Sequence, residues 1–120
     1  MLREIVKQIK ELFPKAKFYE ANAVVQNGIY LVFESVSFEN RTNERFANYV
    51  FKLLLAANSL NKDSSSVLSK CDELLAIAFA NKANCIQGIS SKLNVKSVDR
   101  VQVREGLFCY EITLFLECRL

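Results

Sequence analysis

The chain has 120 residues and a mass of 13.7 kDa, is 51% hydrophobic and 24% charged, and contains one proline and three glycines. That describes one folded domain, 1–120, able to bury roughly two-thirds of its unfolded surface and form a core without disulfides or metal, and it excludes a linker, a repeat or a disordered tract. The net charge of +3 comes from interleaved acids and bases with no run of like charge, so the dense basic patch of a nucleic-acid binder is missing.

Leu2, Ile5, Val6, Ile9, Leu12 and Phe13 recur at i, i+3, i+4 and i+7, with Arg3, Glu4, Lys7, Lys10 and Glu11 on the other side. This spacing predicts an amphipathic helix that Pro14 stops. The same charges rule out the continuous apolar core of a signal peptide. A short strand is expected within "KAKFYEANAVV", and Asn27-Gly28 is a turn signal because glycine tolerates positive φ.

From Ile29 the residues are β-branched and aromatic: Tyr30, Val32, Val36 and Phe38 on one parity, Ile29, Leu31 and Phe33 on the other. A second strand places Tyr49, Phe51, Leu53 and Leu55 on one face. Between the two lies the polar octet "FENRTNER", Phe38 to Arg45. The short connection predicts a long antiparallel hairpin with a charged tip, Asn40, Thr42 and Asn43 suiting its turn.

Asp63-Ser64-Ser65-Ser66 predicts side-chain capping of a helix that carries Val67, Leu68, Cys71, Leu74, Leu75, Ala78 and Phe79 as far as Lys82. A serine nucleophile has no histidine base and no G-x-S-x-G elbow here. "NCIQGIS" reads as a short strand or irregular segment. "VKSVDRVQV" and "LFCYEITLFLECRL" flank a turn at Glu105-Gly106. In the last strand Phe108, Tyr110, Ile112, Leu114, Leu116 and Cys118 predict a buried face; Glu111, Thr113, Glu117 and Arg119 a wet one. Phe115 falls on the wet side, where an isolated apolar residue needs no explanation; the alternative is a partner surface. The expected fold is α+β, a mostly antiparallel sheet with a long hairpin, covered by two helices.

The chemistry of a site is hard to find. There is no histidine, and Gly28, Gly88 and Gly106 are too far apart for a phosphate loop. Glu111 and Glu117, roughly 20 Å apart along a strand, are too distant for a glycosidase pair. No catalytic, cofactor-binding or metal residue is assigned, and the expectation is a protein that is not an enzyme. The face carrying Phe108 and Tyr110 reads as core rather than as an RNA-stacking platform. No stretch is apolar for long enough to span a membrane, so a cytoplasmic protein is expected, with Cys71, Cys85, Cys109 and Cys118 as free buried thiols.

The element order resembles the small tail-terminator, or tail-completion, proteins of phages, including those of Mu-like prophages. The features that carry it are the helix "LREIVKQIKELF", the hairpin "GIYLVFESVSFENRTNERFANYVFKLLLAAN", the capped helix "DSSSVLSKCDELLAIAFANK" and the terminal hairpin "VKSVDRVQVREGLFCYEITLFLEC". The resemblance implies a non-enzymatic assembly protein without cofactor. It would close the tail tube as a homo-oligomeric ring, as a rule a hexamer, and meet the head-completion proteins, first in the host cytoplasm and then in the virion. A cyclic ring joins two different surfaces of each subunit. Glu39, Arg41, Glu44 and Arg45 at the hairpin tip are the candidate subunit contacts. Lys96, Arg100 and Arg104, spaced by four along a strand beside Val98 and Gln102, are the candidate residues facing DNA. The alternative is a small binding module, such as a secretion-type chaperone that clasps an extended peptide. That group tends to be acidic and to end in a helix, unlike this chain with its pI near 8.7 and terminal strand.

Overall fold

The computed structural model describes residues 2–18, 27–86, 89–101 and 106–120. In chain order the elements are α1 (Leu2–Leu12), β1 (Lys17–Phe18), β2 (Gly28–Arg41), β3 (Glu44–Ala57), α2 (Val67–Ala80), β4 (Lys82–Ile86), β5 (Ile89–Lys92), β6 (Asn94–Arg100) and β7 (Phe108–Arg119). Five strands form one sheet in the order β1-β2-β3-β7-β6, antiparallel except for the short parallel β1–β2 pair; β4 and β5 form a separate hairpin. This is the expected α+β architecture, two helices on a mostly antiparallel sheet.

The β2–β3 hairpin dominates. Fourteen residues per strand at about 3.3 Å each reach nearly the full 50 Å length of the molecule. Both strands run through the octet, leaving only Thr42 and Asn43 as the turn. Their φ values of 42° and 67° are the paired positive angles that a two-residue hairpin turn requires. A bulge between Phe33 and Ser35 takes Glu34 out of register. It resolves the split parity of the sequence: Ile29, Leu31 and Phe33 before the bulge share a face with Val36 and Phe38 after it. Their partners on β3 are Leu55, Leu53, Phe51, Tyr49 and Ala47.

That face carries the core. Tyr49, Phe51, Leu53, Leu55, Ile112, Leu114 and Leu116 are buried beneath Ile5 and Ile9 of α1, Phe13 just after it, and Val67, Cys71, Leu74 and Ala78 of α2. Burial of each large apolar side chain contributes about 1.5–3 kcal/mol, and both helices are held mainly by this. Polar ties fix their placement. The Gln8 side-chain amide donates to the Asn84 carbonyl at 2.8 Å and accepts from the Asn84 amide at 2.7 Å, binding α1 to β4. Lys15 pairs with Glu73 of α2 at 2.8 Å.

Four expectations are corrected or narrowed. First, the start of α2 has no side-chain cap, although Ser66 sits at the N-cap position. The buried Ser66 hydroxyl turns back to accept from the Lys62 and Asp63 amides (2.7 and 2.8 Å) and bonds the Ser59 hydroxyl at 2.9 Å. The first helical amides, Val67 and Leu68, instead donate to the Ser59 and Leu60 carbonyls. Second, α2 ends at Ala80 rather than Lys82, where the Asn81 side chain caps the Ile77 carbonyl at 2.7 Å. Third, of the two readings of "NCIQGIS" the irregular one gives way to strand: β4 runs to Ile86 and β5 starts at Ile89, paired antiparallel, with Gln87 and Gly88 outside the described residues. Fourth, Cys85 and Cys118 are not free thiols: they form a disulfide with Cα atoms 5.3 Å apart, which ties that hairpin to the end of β7. Cys71 and Cys109 are buried and take part in no disulfide, as expected. The strand expected within "KAKFYEANAVV" is described only at Lys17–Phe18, and Gln102–Glu105, with the first half of the Glu105-Gly106 turn, lie outside the described residues.

Candidate assembly interface

The two helices cover one face of the sheet. On the reverse face, no helix of the described residues packs. Its base is closed by a small cluster in which Ala56 and Cys109 are buried against Tyr30, Leu54, Val101 and Leu107. Beyond that, Val32, Val50, Thr113 and Phe115 lie across neighbouring strands, all half-buried. Strand alternation dictates this: each residue here is flanked in sequence by core residues whose side chains point the other way.

Charged groups frame the apolar strip. Lys52 lies 3.1 Å from Glu111 and 3.9 Å from Glu34; its ammonium is held above its ordinary pKa chiefly by the hydrogen bond to Glu111. Toward the tip, Arg41 clamps Glu39 through two nitrogens (2.6 and 2.8 Å) and Glu117 through two more contacts (3.2 and 3.0 Å). Its guanidinium also stacks 4.5 Å from the Phe46 ring centre. The Asn48 amide donates to Glu39 at 3.2 Å. Arg41 foremost, then Asn48, keeps the Glu39 carboxyl below the usual carboxylate range. Arg119 pairs with Glu44.

The four tip candidates therefore divide. Glu39, Arg41 and Glu44 are joined in ion pairs within the chain, so their charges are already matched. Arg45 is exposed and has no ion-pair partner among the described residues; it borders a tip hollow with Phe38, Asn40 and Leu120. Phe38, 57% exposed, is the largest apolar group left at the tip.

The basic stripe does not have the geometry expected of it. A bulge between Val95 and Ser97 makes Lys96 the extra residue, so a spacing of four no longer ensures a common face. Arg100 lies opposite Tyr110, on the parity of Ile112 and Leu114, and Arg104 lies outside the described residues. What residue patterns overlooked were the two bulges and the ion pairs joining strands distant in sequence. Phe115 lies half-buried on the reverse face, as its parity predicts.

Among the described residues no cluster of three or more histidine, cysteine or acidic side chains is arranged to hold a metal, and no helix is long and apolar enough to cross a membrane. Burial pushes the Cys71 thiol up to about 11, which disfavours a nucleophilic thiolate. No protein-family model matches the chain, and no curated protein sequence matches it.

Proposed function

We propose that this chain is a non-enzymatic structural subunit that assembles with copies of itself into a ring, as a tail terminator at the head–tail junction of a phage or prophage particle. The observation that carries the reading is the reverse face of the sheet: an apolar strip of Val32, Val50 and Phe115 over which no helix of the described residues packs, framed by charge pairs satisfied within the chain. Ion pairs at the edge of such a contact can keep both their partners and their water while the apolar strip is covered, which avoids the desolvation cost of burying them. Arg45 and Phe38 at the tip supply a second, different surface, and closed rings are built from two unlike surfaces.

The tail tube and the head-completion proteins are the expected neighbours, with DNA close by. The protein is made in the host cytoplasm and then resides in the virion. The Cys85–Cys118 bond would close when particles reach oxidising surroundings. The test is light scattering after size exclusion, at low and high concentration, with negative-stain images of the largest species. A closed ring weakened by Arg45→Glu supports the reading. A strict dimer at every concentration counts against it.

A further inference from the structure

The two edges of the sheet are built differently. At β6 the bulge at Lys96 breaks the ladder, and exposed Asp99 and Arg100 follow, the usual means of discouraging strand addition. At β2, β1 pairs only with Tyr30 and Leu31, and among the described residues no strand lies along the outer side of Val32–Arg41. Beside this open edge runs a groove of about 880 Å³ between β2 and α1. Its apolar surface is Leu2, Val6 and Phe33, and Val36 and Phe38 continue the same face toward the tip.

The rim of the groove is basic. Arg3, Lys7 and Lys10 fall on one stripe of α1 and line the groove, with Glu11 the one carboxylate on its wall among the described residues. None of the three cations has a carboxylate partner among the described residues, whereas the cations of the reverse face do. Lys10 rests 4.8 Å from the Phe18 ring centre, which leaves its ammonium available to an anion.

We propose that this groove docks an extended acidic segment of a partner protein, which adds to the sheet as a strand along β2. The main chain of the segment pairs with the outer backbone groups of β2, from Ser35 past the bulge to Asn40. Alternate apolar side chains lie on Phe33, Val36 and Val6, and carboxylates meet Arg3, Lys7 and Lys10. Main-chain pairing gives affinity, and the basic rim selects acidic over basic sequences. The groove is separate from the reverse face, but at its far end the docked strand meets Phe38 and Asn40, which also belong to the tip surface.

The experiment is fluorescence anisotropy with a labelled twelve-residue peptide alternating valine with glutamate, set beside its valine–lysine counterpart and a twelve-nucleotide thymidine oligomer. The glutamate peptide should bind in the micromolar range, and the lysine peptide should not. The variant Arg3→Glu/Lys7→Glu/Lys10→Glu should weaken binding about tenfold or more. N-methylating alternate peptide nitrogens should weaken it as well, because the strand pairing is removed. Amide shifts in the nitrogen–proton spectrum should gather in α1 and Ser35–Asn40. Should the triple variant lose its folded circular dichroism, a salt titration of the unaltered protein takes its place, and binding must fall as salt rises. Equal binding of the lysine peptide, preference for the oligonucleotide, indifference to charge reversal or salt, or no binding at all would overturn the proposal.

Discussion

On the helix-covered face, Phe51, Leu53, Ile112 and Leu114 are completely buried; on the reverse face their sequence neighbours Lys52, Thr113 and Phe115 stay partly exposed. The same strands make both faces, so backbone propensity cannot account for the difference. What differs is what lies opposite. Ile5, Ile9, Phe13, Cys71 and Leu74 complete the first face, while Lys52–Glu111 and Arg41–Glu117 pairs span the second. The covered face therefore holds most of the folding free energy, and the reverse face is free to serve contact.

The largest expected effect is on packing. Phe51→Ala should destabilise by about 3–5 kcal/mol in urea unfolding, because it opens a cavity under both helices and removes the ring stacked on Phe33. Phe115→Ala should cost under about 1 kcal/mol in the monomer. Equal costs would erase the distinction between the faces.

Reduction of Cys85–Cys118 comes next. The bridge closes a loop with a sequence separation of 33, which the chain-entropy model values at about 3–4 kcal/mol. Melting with and without reductant should show a drop of that order, centred on the β4–β5 hairpin. Ser66→Ala should cost about 1–3 kcal/mol, since it strands two loop amides that its hydroxyl satisfies.

The smallest effect is confined to the reverse face. Glu39 is held below its ordinary 4.5, so the stability it lends is complete above that pH and is lost as the pH falls through the lowered folded value. Corrected for the intrinsic exchange rate, tip amides should lose protection as the pH falls below 4.5, while amides opposite the helices stay protected. Acceleration at both places together would deny the tip its separate, ionic hold.

Much of this was legible in the residues. The β7 alternation gave the correct buried face from Ile112 to Cys118, where no bulge interrupts it, but at its start Phe108 is exposed and Cys109, on the other parity, is buried. In β2 and β6 one extra residue, Glu34 or Lys96, reverses the parity, and nothing about a glutamate or a lysine announces a bulge. The serine cluster led to the right helix start but to the wrong bonds, because a hydroxyl serves loop amides as well as helical ones. Cys85 and Cys118 carry no spacing that fixes their pairing; only the docking of β4 on β7 brings them together. The tip residues were visible as a charged octet, yet Glu117 and Arg119, distant in sequence, decide which of those charges are left unpaired.

Sedimentation velocity of the unaltered chain beside Phe115→Glu tests the central claim most directly. The account predicts a ring whose mass is a multiple of 13.7 kDa for the former. For the variant it predicts a monomer with nearly the same denaturation midpoint. A monomer in both samples, or a ring that survives the glutamate unchanged, would contradict the assignment of the reverse face to assembly.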